Sequence, residues 1–332
     1  MGVACDFVSR CTTVAGHVAP HVHYRAYRRY LWGYFTNHLP HPERGTAAMS
    51  NLRIIHDNAA DRAVLTASSQ TGELGPANLQ RDSKNAVLRA SGTAQIITAT
   101  WPTQESIACV ALISTNMTSS ARMRVRGYAQ PGDAVPVFDT GSIFPCPAAV
   151  HGSYPWGVLP LGWNSYQWGG VNTWARGGGA DGVTWFAPVR VRQIVIDVSA
   201  PQSPEGYLEI SRLVVGNYWS PQYNAEYGAQ LQTQDSSENY RTGAGNLKTA
   251  LGTTSDKLSI NLTHLTPMDR ARFMRILREN GKGQAMLFSL FPENPDPLLE
   301  QDYMLYGKAS NIDAVTTPYF DTYSAPLQIE GI

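Results

Sequence analysis

Val189-Arg-Val-Arg-Gln-Ile-Val-Ile-Asp-Val198 and Leu208-Glu-Ile-Ser-Arg-Leu-Val-Val215 decide the fold class of this chain. In the first run apolar side chains stand at 189 and 191, then at 194, 196 and 198. In the second they stand at 208 and 210, then at 213 and 215. Alternation with period two marks a strand that buries one face. Each run also slips phase by one residue. A slip turns every later side chain to the other face, and an inserted bulge is the cheapest way to keep the apolar set inward. Bulged, twisting strands of this kind are expected in a sandwich or jelly roll.

The same reading extends back to Ala86. Gln95–Trp101 is β-branched and half apolar, and Ile107–Ile113 is a continuous apolar run that suits a central strand buried on both faces. Ala121–Tyr128 alternates strictly, with Arg122, Arg124 and Arg126 on one face and Met123 and Val125 on the other. The Arg stripe reads as a solvated sheet face. Asn58–Asp61 and Asn78–Asp82 read as turns or short helical pieces around an entry strand. Residues 50–221 are thus expected to form a β-sandwich that folds as a domain of its own.

Inside this block lies a long Trp/Gly-rich insertion, His151 to Phe186. It carries Tyr154, Trp156, Trp163, Tyr166, Trp168, Trp174 and Trp185 with almost no charge. Aromatic faces cover the apolar faces of sugar rings, and Asn and Gln bond to hydroxyls. Trp and Tyr are equally the residues of interface cores. These seven residues are the candidate ligand-binding set, with glycan contact, packing of the loop on itself and packing against a neighbouring subunit all open.

Residues 222–332 form a second β-rich block. Leu258, Ile260 and Leu262 alternate as a strand, and further strands are expected at Gln284–Leu290, Tyr303–Lys308 and Pro326–Glu330. Between them, residues 266–280 read as a helix. Thr266 caps it, Pro267 suits its first turn, Asp269 favours its N-terminal dipole and Gly281 ends it. Phe273, Ile276 and Leu277 are its expected buried stripe. Ser236–Gly252 is polar and Gly-containing. The expected fold class is therefore mainly β: a jelly-roll sandwich followed by a second β-rich domain with one packed helix.

Residues 1–48 differ from the rest. They hold five Arg against Asp6 and Glu43, and five of the eight His. Three readings stand: a translated leader upstream of a true start at Met49, a disordered basic-aromatic arm, or a docking segment. His17, His21 and His23 lack a fourth ligand, so no metal site is expected there.

Among the 332 residues, Lys and Arg balance Asp and Glu at 26 each. The zero net charge gives no electrostatic case for nucleic acid. No run of about 18 apolar residues offers a membrane span. Cys5, Cys11, Cys109 and Cys146 show no CxxC spacing and imply no disulfide framework. GxSxG, HExxH, Walker A and strand-linked GxGxxG patterns are all missing. His56, His151 and His264 are dispersed. No enzyme, cofactor or metal is expected.

The block 86–219 resembles galactose-binding-like jelly-roll domains. The resemblance rests on the Thr100-Trp101 strand end, Leu112-Ile-Ser-Thr-Asn116, Arg122–Tyr128, Val189–Asp197 and the closing Tyr207–Trp219 segment. Residues 50–332 together resemble tail-tip (distal tail or baseplate) proteins of tailed bacteriophages and prophages. Their C-terminal block, ending Ile329-Glu-Gly-Ile332, is similar to ring-forming domains. The resemblance implies a virion component made in the bacterial cytoplasm. It also implies a ring-like homo-oligomer partnered by tail-tube, hub and fibre proteins, with host-surface saccharide a further partner. The alternatives are a lectin-like carbohydrate-binding module and an accessory domain of a polysaccharide depolymerase. No sugar or calcium ligand of the family maps onto residues here, so saccharide binding rests on fold analogy.

Overall fold

Two long strands organise the first half of the chain, Ala94–Thr115 and Ala180–Ser199. The computed structural model describes residues 50–146, 166–167, 170–171, 180–201, 203, 205–294 and 296–332. Side chains at 166, 167, 170, 171, 180, 297 and 312 fall outside that description. In chain order the strands are β1 Arg53–Ile55, β2 Val64–Ala67, β3 Leu88–Arg89, β4 Ala94–Thr115, β5 Arg122–Tyr128 and β6 Phe138–Asp139. Then come β7 Tyr166–Gln167, β8 Gly170–Val171, β9 Ala180–Ser199 and β10 Glu209–Gly216. The last eight are β11 Gln230–Asp235, β12 Glu238–Arg241, β13 Leu247–Ala250, β14 Thr254–Leu265, β15 Met286–Ser289, β16 Met304–Ile312, β17 Thr316–Tyr319 and β18 Thr322–Gly331. The helices are α1 Pro267–Asn280 and α2 Pro297–Asp302, and no described helix is long and apolar enough to cross a membrane.

The first sheet runs β3-β10-β4-β9-β5-β6, with β2 also on β4. A 22-residue strand would extend about 70 Å if straight, so β4 and β9 must bend. Their antiparallel ladder is interrupted between Thr100 and Glu105, between Ile107 and Cys109, and between Leu112 and Thr115. The early half of β4 carries β2 and the late half carries β10, so one curled sheet supplies both layers of a sandwich. The two strands expected at Gln95–Trp101 and Ile107–Ile113 are therefore one bent strand. Trp101 fills the bend, fully buried, and its indole N–H donates to Ala59 O at 2.8 Å. Ile97, Leu112, Met123, Ile194, Ile196 and Leu213 pack into the same core.

The phase slip in 189–198 has its structural counterpart. Val191, Ile194, Ile196 and Val198 are buried, and the ladder irregularity lies opposite Arg192. The extra residues belong to the partner: four on β4, Trp101 to Gln104, face Arg192 alone. The slip in 208–215 is different. β10 keeps one register against β4 from Ile210↔Thr115 to Gly216↔Cys109, so the expected bulge is not present. The expected apolar set does point inward, since Leu208, Ile210, Leu213 and Val215 all join the sandwich core, while Val214 on the other face joins a second cluster.

The second sheet runs β1-β15-β16-β18-β14-β11, with β17 on β18. α1 forms as the sequence predicts. Thr266 Oγ1 accepts from Asp269 N, Gly281 at φ 54° terminates the helix, and Phe273, Ile276 and Leu277 are buried. The aromatic pair Trp219–Phe273 packs at 5.6 Å between centroids. Two features depart from the sequence reading. β1 lies beside β15 (Arg53↔Ser289), so the sandwich is inserted between β1 and the remainder of the second sheet. Ser236–Gly252 contains a regular hairpin, β12–β13, paired from Glu238↔Ala250 to Arg241↔Leu247. Residues 49–332 form a single unit, and Ile55, Cys109, Ala111, Ile113, Val214, Leu287, Met304 and Tyr306 share one buried cluster across both sheets. The sandwich has a core of its own, and the shared cluster joins it to the second sheet.

Candidate functional site

Arg212 faces the second sheet because β10 is covered on both sides. It is 5% exposed. Its Nε donates to Tyr306 Oη at 2.9 Å, and its Nη2 lies 2.8 Å from Asp61 Oδ2 and 3.1 Å from Asp82 Oδ1. Nη1 donates to Leu79 O at 3.3 Å. Tyr306 Oη in turn donates to Asp82 Oδ1 at 2.6 Å. A guanidinium removed from water needs several acceptors to offset its lost hydration, and this network supplies them. Burial pushes the Asp61 carboxyl upward against the pull of Arg212, and burial first also raises the Tyr306 phenol.

Two grooves flank this network and share Asp82 and Arg212. The larger, about 510 Å³, is lined among others by Lys84, Asp181, Thr233, Asp256, Asp302 and Tyr306. The smaller, about 400 Å³, includes His56, Asp57, Arg62, Gln80 and Gln284. Both offer hydrogen-bonding groups of mixed charge. Burial raises Asp302, with Asp296 and Asp256 adding to it. Burial lowers His56 and pushes the thiol of Cys109 well up, so neither an imidazolium nor a thiolate is favoured at those positions. Among the described residues no three His, Cys, Asp or Glu side chains are placed to hold a metal ion.

The aromatic insertion is rooted beside the larger groove. Val183 N donates to Pro145 O at 3.4 Å, which draws the two flanks of the insertion together. Between them, Ser114 adopts φ 49°, a strained conformation for a residue with a Cβ. Its N–H donates to Asp181 Oδ1 at 2.7 Å. Burial pushes the Asp181 carboxyl up to about 6 despite that bond, and Cys146 alongside is pushed up to about 12, also by burial.

Of the seven aromatic candidates, Tyr154, Trp156, Trp163, Trp168 and Trp174 lie outside the described residues. Tyr166 begins the two-residue strand β7, which pairs with β8. Trp185 belongs to β9, opposite Cys109. Its indole N–H donates to Glu300 Oε1 at 2.8 Å, its ring meets Tyr218 edge-on at 5.7 Å, and the Arg53 guanidinium lies 4.9 Å from its centroid. Trp185 thus ties the sandwich to α2 and β1. The insertion is shorter at its C-terminal end than the sequence reading had it, because β9 starts at Ala180. The Arg stripe on β5 is ion-paired at the surface, Arg124 to Asp139 and Arg126 to Asp197.

Sequence reasoning passed over Arg212, Asp82 and Tyr306. One signal was available: Arg212 is the only charged residue between Ile210 and Val215.

No family model matches this chain, and no curated protein matches it. Among solved structures it is similar to a Ruminococcus gnavus GH29 fucosidase in complex with fucose, at 14% identity and TM-score 0.32, over 50% of this chain and 27% of that one. The chain thus spans about a quarter of that enzyme's length. It is similar to chitosan-binding module 1 of a chitosanase/glucanase from Paenibacillus sp. IK-5, at 14% identity and TM-score 0.32, over 49% of this chain and 100% of the module. It is also similar to the family 32 carbohydrate-binding module of Clostridium perfringens NanJ in complex with galactose, at 13% identity and TM-score 0.32, over 51% and 99%. Likenesses of this size carry no ligand or reaction to the present chain.

Proposed function

We propose that this chain is a non-enzymatic structural subunit that works by assembling with further copies of itself. The setting implied by its sequence resemblance is a bacteriophage tail tip, with tail-tube, hub and fibre proteins as neighbours. One observation carries the reading. The second sheet ends in an edge strand, β11, with no outer partner among the described residues, and runs on into the hairpin β12–β13, whose strand residues are all exposed. An unpaired edge is a template on which another chain can pair, and an isolated two-stranded hairpin is marginally stable in water. Light scattering and negative-stain microscopy of the purified chain should show closed oligomers, and mass spectrometry should find it in purified particles. A strict monomer at high concentration, absent from particles, would overturn the proposal.

A second reading is a carbohydrate-binding module. It draws support from the Trp-rich composition of the insertion and from the carboxylates, hydroxyls and Lys84 around the groove at its root. Glycan arrays and cell-envelope pull-downs test it; no binding to either would set this reading aside.

A further inference from the structure

The two ends of β14 present different exposed apolar groups, and this gives the assembly a direction. At the N-terminal end, Asp235↔Thr254 closes the β11–β14 ladder and the hairpin continues beyond it. Leu247 and Tyr240 are exposed on that hairpin, and Leu251 at its base is 90% exposed. At the C-terminal end, Glu226 N donates to Asn261 O, Leu265 pairs with Tyr323, and Thr322 pairs with Tyr319. These bonds place Tyr319 and Phe320 (92% exposed) in the turn beyond the end of β14 and Tyr227 (99%) beside Asn261 on its other edge, while exposed Met268 lies in the first turn of α1. Twelve strand residues separate the two ends, a span of about 40 Å. The turn at Phe320 has Asp321 at φ 53°, and Tyr319 and Phe320 on it are exposed.

We infer that the hairpin arm of one copy docks on the aromatic end of the next, a head-to-tail contact between two different surfaces of the same chain. The inference rests on the self-assembly reading above and specifies its interface. Exposed apolar clusters of this kind mark interaction sites, and two unlike patches on one molecule make a heterologous contact that closes into a ring or extends as a filament. The arm exposes Glu238, Arg241 and Lys248, a net of one positive charge; at the other end Glu226 and Asp321 are exposed, with the Arg270 guanidinium over the Tyr323 ring. A second copy is the partner that supplies both halves at equal stoichiometry.

The test uses the full chain in three forms, all checked for unchanged circular dichroism and unfolding midpoint. One carries Leu247→Asp and Leu251→Asp on the arm, and one carries Tyr319→Ser and Phe320→Asp on the aromatic end. The third is the unaltered chain. Each variant alone should be monomeric by light scattering at concentrations where the unaltered chain assembles. Mixed, the two should form a one-to-one dimer and stop, because each retains the surface the other lacks. Either variant assembling like the unaltered chain, or a mixture that stays monomeric, would overturn the head-to-tail contact while leaving self-assembly standing. An unaltered chain that never assembles would overturn both.

Discussion

Arg212 on β10 donates to the phenolic oxygen of Tyr306 on β16 at 2.9 Å, and this bond joins the sandwich to the second sheet. Because Arg212 also holds Asp61 and Asp82, its removal strands several acceptors at once. Arg212→Ala should cost about 2–4 kcal/mol in urea unfolding, near the lower end for a broken buried pair because both carboxylates retain some solvent. Arg212→Lys should recover little, since one ammonium cannot reach the same three directions. Tyr306→Phe should cost about 1–2 kcal/mol. Losses under 0.5 kcal/mol in all three would show that the junction is held by its apolar contacts alone.

Asp181 gives the fold a pH dependence of definite sign. Its carboxyl is raised to about 6 in the folded chain, chiefly by burial, against an ordinary value near 4. Folding therefore favours the protonated form. That contribution is full below about pH 4 and is lost as pH rises through about 6. Asp181→Asn keeps an acceptor for the Ser114 N–H and cannot ionise. It should be more stable than the parent at pH 7.5, by about 1–3 kcal/mol, and near parity at pH 4. Equal midpoints at both pH values would count against the buried carboxylate.

What the sequence could and could not show follows from the range of each interaction. α1 was legible to the residue because Thr266, Pro267, Asp269 and Gly281 act locally on the backbone. The slip at 191–194 was legible because burial reports side-chain direction, although which strand holds the extra residues depends on pairing with β4. The similar slip in 208–215 identified the inward set, Leu208, Ile210, Leu213 and Val215, but not its cause, since no bulge interrupts the β10–β4 ladder. Period-two counting assumes one wet face, and β10 has none. β1 is three residues long, and its choice of β15 is made entirely by the tertiary fold. The β12–β13 hairpin was hidden by polar composition, although the Gly-containing turn, with Gly245 at φ 81°, is a hairpin signal in retrospect. The aromatic candidates showed up by composition alone, and composition does not separate Trp185 from the other six.

Ile55, Cys109, Ile113, Val214, Leu287 and Met304 share a buried cluster that spans the sandwich and the second sheet. A fragment of residues 50–221 would keep Cys109, Ile113 and Val214 but lose Leu287, Met304 and Tyr306. It should expose that apolar face, bind a hydrophobic dye and associate non-specifically. A fragment that is monomeric, dye-silent and cooperatively folded would mean that the shared cluster adds little.

The last prediction separates Trp185 from the Trp residues of the insertion. Its indole holds Glu300, whose carboxyl burial raises, and its ring carries Arg53, which also pairs with Glu293. Trp185→Ala should therefore destabilise the chain by about 3–4 kcal/mol, the usual range for a large aromatic truncation with a lost hydrogen bond. Trp185→Phe should recover more than half of that. Trp163, Trp168 and Trp174 replaced together by Ala should leave the urea midpoint within experimental error. On the module reading that triple variant abolishes binding to glycan arrays or cell envelopes, while Trp185→Phe binds as the parent does. A triple variant that loses stability rather than binding would assign the insertion to packing, and a binding loss confined to Trp185 variants would move the ligand to the junction.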